Sequence, residues 1–176
     1  AHPAEVHSFK AQSREPVVAV IDRAFPRLPA NVRVIGPDDP TSSYPLMEAA
    51  DLALVYTSTA GMEAALLGTP CVTAAATQFG SKGFTLDPPD SEAYFEQLEA
   101  VLTDPATVAV DVELARRYAH FFFFKAALRS DRWMWEPISG LARITGDRSM
   151  LEPGGDPDLD VICAGILERR PFLRAV

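Results

Sequence analysis

Basic residues are scarce in this 176-residue chain, which carries 16 Lys and Arg against 24 Asp and Glu, for a formal net charge of −8. Proteins that bind nucleic acids usually carry a basic stripe, and anchoring at an anionic membrane surface needs a polybasic patch. The sequence has neither feature, which argues against both kinds of partner. A small anionic ligand remains compatible with the charge, because backbone amides and one or two cations can bind a phosphate.

Cysteines and long apolar runs are also few. Cys71 and Cys163 lie far apart in apolar stretches, which predicts buried free thiols in a reducing compartment. No apolar run reaches the roughly 20 residues that a membrane helix needs, and no signal peptide is evident. No His, Cys and Asp cluster has metal-site spacing, and Asp38-Asp39, flanked by prolines, predicts a turn. We therefore expect a cytoplasmic protein without a bound metal.

The sequence does contain a regular alternation of strand and helix patterns. Strands are predicted at 32–35, 52–56 and 71–75, the second covered on both faces. Helices are predicted at 15–25, 44–50, 61–67, 91–102, 111–129 and 158–169, and irregular structure at 130–156. This order implies parallel βαβ units with right-handed crossovers. We predict an α/β fold, with a Rossmann-like parallel sheet flanked by helices over residues 1–105 and a C-terminal helical extension over 106–176.

Hydroxyl side chains crowd the junction between the 52–56 strand and the 61–67 helix. Ligands of open α/β sheets bind at the carboxyl ends of strands, and the unpaired N–H groups of a helix N-terminus suit a phosphate. Ser58 and Thr59 are therefore candidate phosphate ligands, and Gly61 would let a ligand approach the backbone closely. The alternative is that Ser58 or Thr59 simply caps the helix.

Three further segments contribute candidate binding residues. Glu63 lies four residues after Thr59, whereas a capping box places its Glu three after the cap, so Glu63 could accept ribose hydroxyls. His2, with Pro3 fixing the chain direction after it, could donate to a phosphate or a nucleobase. Lys82 lies in a glycine-flanked segment and could reach an anion. The alternatives are a solvated helix residue, an ordinary loop histidine and a surface turn.

Four adjacent phenylalanines, Phe121 to Phe124, cover more than one helical face, since neighbours on a helix point about 100° apart. At least one face of this helix must then contact something besides a small sheet. Local packing with Trp133 and Trp135 is the alternative.

The chain resembles a known family in three segments. They are HPAE at the start, LPANVRVIGPDDPTSSYPLMEAADLALVYTSTAGMEAALLGTPCV, and FGSKGFTLDPPDSEAYFEQL. These segments, and above all STxGxE followed by GTP and GFTLDP, are similar to capsule polysaccharide biosynthesis glycosyltransferases, the group related to the Kdo transferases of capsule export systems. The similarity runs from His2 to about Leu98, with a weaker echo at residues 115–118. It implies a GT-B fold of two Rossmann-like domains, of which this chain would be the C-terminal, donor-binding one.

The resemblance also implies a reaction and its site residues. An acceptor hydroxyl would displace CMP from an activated sugar such as CMP-Kdo, in a metal-independent inverting transfer to a bacterial capsule or surface polysaccharide. His2 and Pro3 match the motif that faces the cytidine and its phosphate, and Ser58 and Thr59 match the phosphate motif. Glu63 occupies the slot where many GT-B enzymes bind ribose. The nucleotide-sugar is a substrate, and no cofactor is implied.

The partners that the resemblance implies are the nucleotide-sugar, a saccharide or glycolipid acceptor, and the N-terminal domain of a larger parent protein. The general base is expected in that domain, so this chain is expected to be inactive alone. The helix with Phe121 to Phe124 would pack against the same domain. The parent would work in the cytoplasm, with peripheral association at the inner membrane face.

Other functions are compatible with the same fold. Poly(glycerol phosphate) transferases, which act as CDP-alcohol phosphotransferases, also release CMP, and UDP-GlcNAc 2-epimerase shares the architecture. A function of a different class is a non-catalytic scaffold domain in a polysaccharide assembly complex, which would keep the fold and lose nucleotide affinity.

Overall fold

The computed structural model describes residues 1, 5, 14–128, 133–135, 142–144 and 146–174, without the side chains of 106, 133–135 and 142–144. Its contacts form two compact units, Ala1–Leu46 and Met47–Val176. The α-helices are α1 (Val17–Ala24), α2 (Ser43–Ala49), α3 (Ala60–Leu67), α4 (Ser91–Thr103), α5 (Val112–His120) and α6 (Pro157–Glu168). The strands are β1 (Ala53–Val55), β2 (Cys71–Thr73), β3 (Trp133–Trp135) and β4 (Ala142–Ile144).

In the first unit, α1 forms where the sequence predicts a helix, directly after Pro16. The Glu5 carboxylate accepts a hydrogen bond from the Val17 amide at 3.1 Å, which satisfies one amide of the first turn. The strand predicted at 32–35 is wrong, because this segment runs without strand pairing. Its β-branched residues favour an extended chain, but a strand also needs a neighbour, and the described part of the first unit contains none.

The second unit is built around a small parallel sheet. β1 and β2 pair in parallel, from Ala53 opposite Cys71 to Val55 opposite Thr73, and α3 connects them as the crossover. Leu86 adds a parallel bridge to Val72 on the far side of β2. The predicted βαβ unit is therefore confirmed, and the architecture is a mixed α/β one. The larger Rossmann-like sheet of a GT-B half stays a prediction.

The two strands differ in how they are covered. All three residues of β2 are buried, whereas Leu54 in the middle of β1 is 51% exposed. The prediction that β1 is covered on both faces is therefore wrong. In the described part of the chain β1 pairs only with β2, and the exposure of Leu54 leaves one face of β1 open.

Helix α3 ends as its sequence predicts. Gly68 adopts the left-handed conformation with φ of 86° and donates to the carbonyls of Ala64 and Ala65, and Pro70 follows. Glycine is favoured there because it has no Cβ to oppose a positive φ.

The core of the second unit lies where α3 packs against α5. The buried residues of this cluster are Met62, Ala65, Phe79, Phe84, Ala115 and Ala119. A smaller cluster of Met47, Ala64 and Cys71 lies on the sheet side of α3. Because α5 shares a core with α3, the contacts divide the chain after Leu46, whereas the sequence suggested a division after residue 105. A boundary at that position stays a prediction.

Aspartates begin the later helices. The Asp90 carboxylate accepts from the Ala93 amide at 2.9 Å, so Asp90 and not Ser91 is the N-cap of α4. Asp111 caps α5, and Asp156 caps α6. An aspartate carboxylate accepts from the first-turn amides as a serine hydroxyl does, and its negative charge is additionally favourable at a helix N-terminus.

Beyond α5 the helix continues as a wider π-helical segment, Phe121–Ala126. Phe122 packs on the α3–α5 core, whereas Phe121, Phe123 and Phe124 are exposed. Part of the phenylalanine run therefore packs in the local core. The alternative, packing against Trp133 and Trp135, lies outside the described residues because neither side chain is among those described.

The stretch predicted as irregular holds the antiparallel pair β3–β4 and a short 3-10 helix, Arg148–Leu151. Unlike β1 and β2, neither β3 nor β4 lies in a longer apolar run, so the sequence pattern did not show them.

The two cysteines lie in different environments. Cys71 is buried in β2 as predicted, but Cys163 is exposed, so its predicted burial is wrong. On α6 the buried residue is Gly165, and positions two apart on a helix point to nearly opposite sides. Cys163 therefore faces away from the side that Gly165 packs.

We expect only Cys163 to react with Ellman's reagent in the native chain. Burial, and to a smaller degree the charge of Asp87, raises the pKa of the Cys71 thiol from 9.0 to about 12, and only a thiolate is nucleophilic. Because the folded pKa lies above the unfolded one, this thiol's contribution to stability is present below pH 9.0 and lost as the pH rises toward 12. A Cys163→Ser variant should be unreactive until denaturant is added. Native reaction of that variant would contradict the burial of Cys71.

Candidate functional site

The carboxyl ends of β1 and β2 meet at one edge of the sheet, because the strands are parallel and adjacent. The Ala74 amide donates to the Val55 carbonyl at 2.8 Å, which holds the two outgoing chains together at that edge. Thr57, Ser58 and Thr59 leave β1 there with exposed side chains. This edge is where ligands bind in open α/β sheets.

Ser58 and Thr59 already take part in hydrogen bonds at the start of α3. Ser58 Oγ accepts from the Ala60 amide at 3.2 Å, so Ser58 partly fulfils the capping role that the sequence left open. Thr59 makes no side-chain cap bond. Its carbonyl accepts from the amides of Met62 and Glu63 at 3.0 and 3.1 Å. Ser58 and Thr59 are nevertheless both exposed residues.

Glu63 lies on the same side of the first turn as Thr59. The Thr59 hydroxyl donates to Glu63 Oε1 at 3.3 Å, and the Glu63 side chain is half-buried. A capping box does not explain the four-residue spacing between Thr59 and Glu63. The structure shows that this spacing brings the two side chains into contact across one helical turn. The structure brings Ser58, Thr59 and Glu63 together at one helix start.

Gly61 faces the sheet. A Cβ on Gly61 would lie 2.9 Å from Val55 Cγ2, 3.0 Å from Cys71 Sγ and 3.0 Å from Phe79 Cζ. Its lack of a side chain lets α3 pack closely on the sheet. The structure thus shows a packing role for the buried Gly61, and its predicted role in ligand approach stays a prediction.

Lys82 lies on a second loop, between β2 and α4, and its side chain is exposed. Ser81 before it and Gly83 after it both have positive φ, at 57° and 92°. This loop turns tightly on either side of Lys82, which fits the surface-turn alternative and leaves the ammonium in solvent. His2 and Pro3 lie outside the described residues.

Asp87 organises the second loop, and sequence reasoning did not single it out. Its Oδ1 accepts from the Thr73 hydroxyl at 2.8 Å. Its Oδ2 accepts from the Ser81 amide and from the Thr85 hydroxyl, each at 2.9 Å. One carboxylate therefore ties the end of β2 to the turn at Ser81 and to the chain leading into α4. Asp87 is the aspartate of the GFTLDP motif, but only the fold reveals which residues this aspartate contacts.

A cavity of about 580 Å³ opens beside this loop at the carboxyl end of β2. The chain after β2 forms one wall, the Ser81 turn and Asp87 form the second, and the start of α4 forms the third. Tyr94 and Phe95, in the first turns of α4, also line it. The sequence predicted a site at the end of β1 and missed this one, because its walls come from separated segments.

Within the described part of the chain, no three or more His, Cys, Asp or Glu side chains are grouped so as to hold a metal ion. The helices of the same residues include none with the length and apolar character needed to cross a membrane. No family model, curated protein or solved structure matches the chain. The similarity to capsule polysaccharide glycosyltransferases therefore stays a prediction.

Proposed function

We propose that this chain is the donor-nucleotide-binding part of a glycosyltransferase that transfers a sugar from a CMP-activated donor to a bacterial surface polysaccharide. The observation that carries the proposal is the placement of Thr57, Ser58 and Thr59. These hydroxyls are exposed at the carboxyl end of β1, where the chain enters α3. Packed side chains over them would have left no room for a phosphate.

The chemistry proposed for this junction is stabilisation of a leaving phosphate. The partial positive charge of a helix N-terminus favours an anion, and hydroxyl donors can share its oxygens. Ser58 would donate to the phosphate. Because a hydroxyl donates only one hydrogen bond, Thr59 would exchange its bond to Glu63 for one to the phosphate, and Glu63 would then accept from ribose hydroxyls. Lys82 and His2 are the proposed additional cations or donors. The general base and the acceptor site are proposed to belong to another domain.

Titration of the full chain with CMP, followed by amide NMR, tests the proposal. We expect CMP at millimolar concentration to shift the amides of residues 57–63. Ser58→Ala should weaken the binding about tenfold, because a hydrogen bond to a charged group is lost.

Ser42→Ala is the matched control for this variant. Ser42 Oγ accepts from the amide two residues later at 3.3 Å, as Ser58 Oγ does at 3.2 Å, but Ser42 is not part of the junction. Its CMP affinity should equal that of the unaltered chain. Absence of binding at millimolar CMP would favour a non-catalytic scaffold domain, and tighter binding of UDP would refute the CMP donor.

A further inference from the structure

The cavity at the end of β2 differs chemically from the junction at the end of β1. Its lining, which consists entirely of described residues, includes no Lys, Arg or His. Two carboxylates, Asp87 and Asp90, contribute to its walls instead. Negative charge without a basic partner disfavours a phosphate or a carboxylate as the occupant. The cavity is therefore suited to a neutral ligand.

Hydroxyl and carboxylate side chains around the cavity can form hydrogen bonds with a ligand. Thr73, Thr77, Ser81 and Ser91 line it together with the two aspartates. Thr77 Oγ1 is one of the buried side-chain oxygens in the described residues that lack a hydrogen-bond partner. A buried hydroxyl without a partner is unfavourable, and a ligand hydroxyl in the cavity would provide that partner. These walls match a ligand rich in hydroxyls.

Aromatic side chains provide the apolar part of the cavity. Phe95 is 64% exposed although its ring is large and apolar. Tyr94 contacts it edge to face, with ring centroids 5.4 Å apart and an interplanar angle of 88°. A ring held in this way offers a flat apolar surface beside polar groups, the combination found in specific small-molecule sites. The C–H face of a pyranose fits such a surface while its hydroxyls reach the polar walls.

We propose that this cavity binds a neutral saccharide unit, stacked on Phe95 and hydrogen-bonded to the hydroxyl and carboxylate groups of the opposite walls. The cavity volume of about 580 Å³ is large enough for one or two pyranose rings. None of the residues 57–63 lines it, so the proposal does not depend on nucleotide binding at the β1–α3 junction.

Amide NMR on the full chain tests this proposal with a panel of neutral methyl glycosides of glucose, galactose, mannose and N-acetylglucosamine at tens of millimolar. At least one glycoside should shift amides in the loop from Ala74 to Ser81 and in the first turns of α4. Phe95→Ala should weaken that binding about fivefold or more. Phe124→Ala is the matched control, because Phe124 is equally exposed, at 63%, and does not line the cavity; its affinity should be unchanged.

Three results would overturn the proposal: no shift in the loop or α4 with any glycoside, equal shifts in Phe95→Ala and the unaltered chain, or shifts there with inorganic phosphate instead. The spectrum of each variant shows directly whether it is folded. Failure of CMP to shift residues 57–63 would refute the proposed nucleotide function alone. The two proposals are thus separable in one set of spectra.

Discussion

Phe79→Ala is expected to lower the free energy of unfolding by about 3–5 kcal/mol. Phe79 is 2% exposed and is the largest of the fully buried side chains in the described residues. Its ring stacks on Phe84 with centroids 6.2 Å apart and reaches the place where Gly61 lets α3 meet the sheet. Alanine would remove the contacts that join α3, the second loop and the sheet, and the surrounding backbone could close the resulting cavity only in part.

Urea unfolding followed by circular dichroism measures this loss against a control of the same chemistry. Phe124→Ala removes an equal side chain that is 63% exposed, and it should change the free energy of unfolding by less than about 1 kcal/mol. Since small domains are stable by only about 5–15 kcal/mol, the Phe79 variant should lose a large part of its stability. Equal losses in the two variants would contradict the assigned core.

The β1–α3–β2 unit could be predicted because its signals are local and agree. Apolar runs mark both strands, Gly68 supplies the left-handed residue that ends α3, and Pro70 prevents its continuation. The 32–35 segment has an equally good β pattern and forms no strand. Strand propensity describes a residue's fit to a sheet, but whether a neighbouring strand is present depends on the rest of the chain.

The same limit explains the errors in finer detail. Asp90 and Ser91 are adjacent and both favour the N-cap, so only the backbone path decides which one accepts from Ala93. Cys163 lies in an apolar helix, yet the buried side of α6 is the one that carries Gly165. A sequence pattern identifies an amphipathic or apolar helix more readily than it identifies which face meets the core.

The candidate site was predictable in part for a related reason. Exposure of Ser58 and Thr59 follows from their position between a strand and a helix, which local sequence shows. Gly61 was assigned to ligand approach because glycine fits any close contact, and its actual neighbours come from β1, β2 and the second loop. The cavity depends on residues that only the folded chain brings together, so no local motif could reveal it.

Asp87→Ala is expected to lower the free energy of unfolding by about 2–4 kcal/mol. The Thr73 hydroxyl, on a residue only 3% exposed, donates to Asp87 and would lose that acceptor. The Ser81 amide and the Thr85 hydroxyl would lose theirs as well, although water can replace the acceptor at the exposed Ser81. Most of the loss should therefore come from the buried threonine.

The second effect of this variant should be local to the loop between β2 and α4. The positive φ of Ser81 is unfavourable for a residue with a side chain, and Asp87 holds the turn in that conformation through the Ser81 amide. Amide hydrogen exchange in residues 77–86 should accelerate in Asp87→Ala more than in α3. An unaltered exchange rate there would show that the turn forms without the aspartate.

Two comparison variants separate the hydrogen bonds from the loss of a charge. Asp87→Asn keeps one acceptor oxygen for Thr73 but replaces the other with an amide nitrogen, which cannot accept from Ser81 and Thr85. It should recover more than half of the stability lost in Asp87→Ala, because the bond to Thr73 is kept. Asp51→Ala removes an exposed carboxylate elsewhere and should stay within about 0.5 kcal/mol of the unaltered chain. If Asp87→Asn were as unstable as Asp87→Ala, the bond to buried Thr73 would not be the main contribution, and the charge or the Ser81 turn would take its place.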